Sequence, residues 1–270
     1  MFRLTPVIKN LLIINVAIYL VSLFLLSQNI NINNLVALYY PEAERFLPFQ
    51  YFTYMFAHSL QSFSHILFNM LALVFIGPLL ENLWGPQKFL TFYILTGLGA
   101  AIIYTGVEFY QVKQLESKIE NYIENPTPEK FDNFVYKQNK RIYFDANMDN
   151  FLDEYYDNPN SEQYIRESKV FAQQYYEAQI NGPGMVGASG AIYGLLMALA
   201  LLFPNLQLML LFPPIPIKAK YMALGLAAIS VYLGINRQEG DMVAHFAHLG
   251  GMVVAFILIK IWQNKGTSFR

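Results

Sequence analysis

No cysteine occurs anywhere in the 270 residues. Disulfides, a thiol nucleophile and cysteine-ligated metals are thereby excluded, although the redox compartment is left open. Charge is scarce as well. Only 14% of the residues are Asp, Glu, Lys or Arg, against roughly 25% in a soluble domain. The net charge of −1 offers no field for a nucleic-acid partner. No cleavable leader is expected, because the first apolar run follows Arg3 and Lys9 without a small-x-small cleavage site. That run reads as an anchor.

What fills the chain is apolar. Hydrophobic residues make up 55% and aromatic residues 16%. Charge-free segments cover residues 11–26, 63–80, 89–107, 185–204, 221–235 and 242–259. Several approach the ~20 residues a helix needs to cross the hydrocarbon core, while 221–235 is short for a span. Glycines recur inside them (Gly97, Gly99, Gly190, Gly194, Gly225, Gly250, Gly251), as expected where helices pack closely in lipid. Six spans, an all-α membrane protein, is the expectation. Basic residues set its orientation. Arg3, Lys9, Lys88, Lys218, Lys220, Lys260, Lys265 and Arg270 fall on one side, and the short loops of the other side hold only Arg45 and Arg237. The positive-inside rule therefore puts both termini in the cytoplasm. Residues 212–218 are apolar but hold three prolines, so a regular helix is excluded there. We expect that loop at the cytoplasmic interface.

One stretch departs from this pattern. Residues 107–181 carry 14 Asp and Glu against 8 Lys and Arg, together with many tyrosines. Asn125-Pro126 and Asn158-Pro159 break it into pieces, and Phe131, Phe134, Val135 and Ile142 give one piece a partial apolar stripe. The expectation is a helical extramembrane insertion between the third and fourth spans, longer than an ordinary connection. Asp145-x-Asn147-x-Asp149 copies the start of a calcium loop, but Asn150 replaces the required glycine and Tyr156 the bidentate glutamate. No metal site follows from it. The chain thus divides into 1–106 (spans one to three), 107–181 (insertion), 182–262 (spans four to six) and 263–270 (cytoplasmic tail).

Few residues can carry chemistry. The histidines are His58, His65, His245 and His248, and ionisable groups in apolar segments suggest function by default. His58 reads better as structural. His65 and Asn69 stand i, i+4 and leave one helix face, where they suit a developing oxyanion as well as they suit a helix-to-helix tie. Ser189, in Gly187-Ala188-Ser189-Gly190, opens the fourth span from the side at which His248 opens the sixth. Gly190-x-x-x-Gly194 and Gly251-x-x-x-Ala255 would let the two helices approach closely. The histidine would then be in reach of the serine hydroxyl, as an activated nucleophile requires. Tyr193, one turn on, either stacks on the imidazole or fills core. His245 competes with His248 as base. His-x-x-His without a glutamate or a third strong ligand is not a zinc-protease motif. No aspartate is placed as third triad member.

These residues together resemble the rhomboid intramembrane serine proteases. The resemblance rests on His65-Ile66-Leu67-Phe68-Asn69, on Gly77, Glu81 and Trp84-Gly85, on Gly187-Ala188-Ser189-Gly190, on Pro213 to Lys218, and on Ala247-His248-x-x-Gly251. It implies a six-helix rhomboid-like bundle and an endopeptidase that cuts transmembrane segments of single-span proteins near the outer face of the bilayer. Ser189 is then the nucleophile and His248 the base, in preference to His245. His65, Asn69 and the Ser189 backbone amide form the oxyanion hole, and Tyr193, Gly187, Gly190 and Gly251 support the dyad. No cofactor and no metal are implied. The fifth helix and residues 236–242 would be the gate and cap of the site, and the setting would be a bacterial inner membrane. The chain departs from the smallest members in its long insertion, and residues 28–50 match no pattern in detail. A catalytically silent relative that binds transmembrane segments is the alternative. A proton-coupled transporter ranks far lower, because no inverted repeat or carboxylate pair is present.

Overall fold

The computed structural model describes residues 4–133, 146–209, 214–236 and 243–264. Arg3, Pro213, residues 237–242 of the expected cap, Lys265 and Arg270 lie outside the described residues. So do Asp145 of the calcium-like motif and Phe134, Val135 and Ile142 of the apolar stripe.

The chain is mostly helical. In order come α1 (Pro6–Ser27), α2 (Asn33–Val36), α3 (Gln50–Thr53), α4 (Phe63–Trp84), α5 (Pro86–Glu124), α6 (Pro128–Asp132), α7 (Ala146–Asp157), α8 (Glu162–Ile180), α9 (Ser189–Leu202), α10 (Ala219–Ile235) and α11 (His245–Asn264). Four helices, α1, α4, α5 and α11, are long and apolar enough to cross a membrane. The expected fourth and fifth spans are shorter, at 14 residues for α9 and 17 for α10. Residues 185–188, expected within a span, precede the helix. Met185 is instead paired with Leu38 through reciprocal backbone hydrogen bonds of 2.9 and 2.8 Å.

Side chains such as Leu20 and Phe24 on α1 and Leu224 and Ile235 on α10 are 58–72% exposed. So much apolar surface is tolerable only against lipid, and the protein is an integral membrane protein.

α9 is the hub of the bundle, packed against α4, α5, α10 and α11. Small residues make this possible. A Cβ on Gly194 would stand 2.8 Å from Thr96 of α5, and one on Gly250 would stand 3.1 Å from the Ala100 backbone. The α1–α4 pair is held differently. The Glu81 carboxylate accepts from the amides of Val7 (2.9 Å) and Ile8 (3.0 Å) and from the Thr5 hydroxyl. It thus caps the first turn of α1, whose amides have no carbonyl behind them. Glu81 is only 3% exposed, so its removal strands three donors, those of Thr5 and Ile8 buried and that of Val7 partly so. Glu81→Ala should cost on the order of 3 kcal/mol, read as a fall in thermal unfolding temperature in detergent. A melting curve indistinguishable from wild type would show that this cap contributes nothing.

Two expectations need correction. The change of polarity at residue 107 does not end a helix. α5 runs without a break for 39 residues, because no proline or glycine falls between Val107 and Glu124 and the polar residues there are good helix formers. Its polar half joins α6, α7 and α8 around a small aromatic core of Tyr122, Phe131, Tyr155 and Ala172. The chain is also not purely helical. Gln207–Met209 (β1) and Pro216–Lys218 (β2) pair as an antiparallel hairpin. Pro216 is tolerated there because a two-stranded ribbon consists only of edges.

Candidate functional site

Ser189 is the first residue of α9. Its amide is therefore one of the first-turn donors that no intrahelical carbonyl accepts. The turn before it is set by Gly187, whose φ of +124° few other residues could adopt. The Gly187 amide is held by the Tyr54 carbonyl at 2.9 Å.

α9 and α11 meet at Gly190 and Gly251. A Cβ on Gly251 would fall 1.9 Å from the Gly190 carbonyl oxygen, so no other residue could sit there without separating the helices. This approach brings His248 Nε2 to 2.8 Å from Ser189 Oγ, a normal hydrogen-bond length. The ring of Tyr193 lies flat on the His248 imidazole, with centroids 4.1 Å apart and planes 10° from parallel. It fixes the plane of the imidazole by stacking on one face. His245 is turned edge-on to His248 at 6.1 Å. It is a neighbour of the imidazole, whereas His248 is the ring bonded to Ser189.

His65 comes from the other direction, on the first turn of α4. A Cβ on Gly187 would lie 2.7 Å from His65 Nε2 and 3.8 Å from Ser189 Oγ. The imidazole edge and the serine hydroxyl therefore both lie against Gly187, and the imidazole occupies the place a side chain there would need. The Ser59 amide donates to His65 Nδ1 at 3.2 Å. A neutral imidazole that accepts at Nδ1 carries its proton on Nε2, so the edge beside Gly187 presents an N–H. Asn69 is 6% exposed, one turn deeper, and its side-chain amide donates to the His65 carbonyl at 2.7 Å. His58 is not at a water interface. It is 2% exposed, with its ring 5.3 Å from that of His65. Burial first, and the neighbouring His65 second, push its imidazole down to about 3. It is a neutral wall behind His65 at ordinary pH.

Sequence reading missed Ser59 and Tyr54. The first acts through its backbone, which no motif reveals. The second is a tyrosine among 19, distinguished only by the bond from its hydroxyl to the Gly97 carbonyl at 2.7 Å and by its place beneath Gly187. Among the described residues, no cluster of three or more His, Cys, Asp or Glu is arranged to hold a metal ion.

A hydroxyl bonded to an oriented imidazole, with the N–H edge of a second imidazole nearby across Gly187, can lose its proton as it attacks an electrophile and can stabilise the resulting anion. Comparison with known proteins points to the same part of the chain. No curated protein matches it, but a family model, the Rhomboid domain, matches residues 46–112 and 168–264. The interval between the two matched stretches covers the C-terminal part of α5, the polar helices α6 and α7 and the start of α8, and leaves the helices around Ser189 and His248 inside the match. Matched over more than half of its length, the protein belongs to the rhomboid family.

Proposed function

We propose that the protein is an intramembrane serine endopeptidase. The observation that carries this reading is the 2.8 Å contact between His248 Nε2 and Ser189 Oγ, made between two helices at their closest approach. In the proposed reaction, Ser189 Oγ attacks the carbonyl carbon of a peptide bond in a substrate transmembrane segment. His248 Nε2 takes the hydroxyl proton and then delivers it to the leaving nitrogen, giving an acyl-enzyme. A water, deprotonated by the same imidazole, hydrolyses the ester and restores Ser189. The anionic oxygen of each tetrahedral intermediate is held by His65 Nε2–H, the Asn69 amide and the Ser189 backbone N–H. Tyr193, Gly187, Gly190 and Gly251 hold these groups in register. No cofactor takes part. The substrates are single-span membrane proteins.

Asn69 gives the sharpest test of the oxyanion assignment. Loss of one such donor costs roughly 10²–10³ in turnover. Asn69→Ala should therefore slow kcat by that factor while KM changes little. A rise confined to KM, with kcat unchanged, would assign Asn69 to substrate binding instead. The reading as a whole is tested with a reporter carrying one helix-unstable transmembrane segment, incubated in membranes with wild type or Ser189→Ala. Cleavage by wild type alone supports it. No cleavage by either, with no labelling of Ser189 by a fluorophosphonate, leaves a protein that only binds transmembrane segments.

The six apolar helices α1, α4, α5, α9, α10 and α11 form the membrane bundle in this reading. The lysine-rich end faces the cytoplasm of a bacterial cell, and Ser189 lies toward the outer face. Residues 107–181 then stand outside the membrane and shield the mouth of the site or contact substrate ectodomains. The bonds that tie α8 to the loop before α3, Asn181 to Glu44 at 3.1 Å and Met185 to Leu38, support such a role. Deleting the unit while keeping the flanking helices should change cleavage rate or substrate range; unchanged values of both would remove it from the mechanism.

A further inference from the structure

The hairpin between α9 and α10 has no part in the chemistry above, yet its shape is specific. β1 and β2 pair Gln207 with Lys218, Leu208 with Ile217, and Met209 with Pro216. One face is turned inward, since Leu208 packs on the main core. The other face is graded. Gln207 and Lys218 lie at its base, where the Ala219 amide bonds the Leu206 carbonyl at 2.8 Å. Farther out on it come Met209, 59% exposed, and its partner Pro216, and just before β2 stands Ile215, 49% exposed. An apolar tip on a charged base is wrong for water.

Helix length tells where this tip lies. At 1.5 Å per residue, α9 is about 21 Å long and α10 about 26 Å, against ~30 Å of hydrocarbon. A connection between two short spans is drawn toward the acyl chains. The lipid-facing surface of α10 begins at once after the hairpin, with Tyr221 at 58% and Leu224 at 69% exposure, and runs on into Ile215 and Met209.

Charge completes the picture. Lys9, Lys88, Lys218, Lys220 and Lys260 gather at this end of the bundle, and the one carboxylate among its described residues is the buried, fully engaged Glu81. Three of these lysines lie over aromatic rings: Lys88 over Trp262 at 4.5 Å, Lys220 over Tyr221 at 5.1 Å and Lys260 over Phe256 at 5.7 Å. Long cationic side chains resting on aromatic rings with their heads toward one plane are the pattern of a membrane interface.

We propose that the β1–β2 hairpin is a lipid-binding element: Met209, Ile215 and Pro216 enter the edge of the hydrocarbon, and Lys218 and Lys220 hold acidic phospholipid headgroups above them. It seats the two short helices, α9 among them, at a fixed depth in the leaflet. A lipid contact here is independent of whether Ser189 is reactive.

The absence of native cysteine allows a direct test in the full chain. Nitroxides are attached at Met209→Cys and Ile215→Cys, with Leu224→Cys as lipid reference and Gln163→Cys on the polar helix α8 as water reference. The protein is reconstituted in phosphatidylcholine vesicles containing phosphatidylglycerol. Labels at 209 and 215 should collide with oxygen in preference to a water-soluble nickel complex, as the label at 224 does. Nickel accessibility like that at 163 would overturn the proposal. So would exclusion of both reagents, which would mean cover by protein, whether a second copy or a partner. In the second arm, spin-labelled phosphatidylglycerol should associate with wild type more strongly than phosphatidylcholine. Lys218→Gln/Lys220→Gln should weaken that preference by about fivefold or more, since each lysine near an acidic surface contributes a factor of that size. Equal association of the two lipids with wild type, or an unchanged preference in the double variant, would also overturn it.

Discussion

Ser189→Ala is expected to abolish cleavage of the reporter, a loss of about 10⁴-fold or more. His248→Ala should match it. The two groups share one proton: Ser189 Oγ is 2.8 Å from His248 Nε2, and a hydroxyl at its ordinary pKa is a weak nucleophile until a base takes that proton. Removing either partner therefore removes the whole nucleophile. The double variant should be no slower than either single one, because groups that act as a unit are non-additive. Neither substitution should disturb the fold. Ser189 begins its helix, and its alanine variant loses a single oxygen. His248→Ala leaves Tyr193 without its stacking partner, so its melting temperature should fall modestly while Ser189→Ala stays near wild type. Initial rates in detergent and in vesicles, together with fluorophosphonate labelling of wild type only, measure this. Cleavage by Ser189→Ala at more than a few per cent of the wild-type rate would rule out Ser189 as nucleophile.

Gly251→Ala should be nearly as damaging, although it adds one methyl group at a residue without chemistry. The new Cβ would sit 1.9 Å from the Gly190 carbonyl oxygen and 2.8 Å from its carbonyl carbon. Both are backbone atoms of α9, so no rotamer change relieves the overlap and the two helices must move apart. Relief to ordinary contact requires a shift of more than about 1 Å, and such a misplacement of reacting groups costs roughly 10²-fold. The shift separates the two helices that carry His248 and Ser189, so the loss should appear in kcat and in the rate of fluorophosphonate labelling, with a smaller effect on KM. Gly225→Ala is the matched control. Nothing lies within 4 Å of the Cβ it would add, and both rate and melting temperature should stay near wild type. If Gly251→Ala cut the reporter within twofold of wild type, close packing at this point would not be what positions the dyad.

The two expectations differ in how visible they were beforehand. Ser189 and His248 were legible because each carries a rare functional group inside an apolar segment, and because the small residues around them repeat at helical spacing. Gly190 and Gly251 were legible as small residues, but their partners were not. Gly194, expected to help α9 meet α11, lies instead against Thr96 of α5. Periodicity states which residues share a helix face and says nothing of which other helix that face meets. The polar stretch from residue 107 was plain from composition. That α5 continues through it was not, since a change of polarity is a change of surroundings and leaves the backbone free to stay helical.

By itself the sequence determined the membrane setting, the largely helical class, the family and a short set of residues able to do chemistry. All of these follow from residue type and local spacing. Only the tertiary structure decided the rest. It put His248 Nε2 2.8 Å from Ser189 Oγ, set the edge of His65 against Gly187, and carried the Glu81 carboxylate more than 70 positions back along the chain to cap α1. It also paired Gln207–Met209 with Pro216–Lys218 as two antiparallel strands. Each of these depends on a distance between segments remote in sequence, fixed by how small residues let whole helices settle against one another.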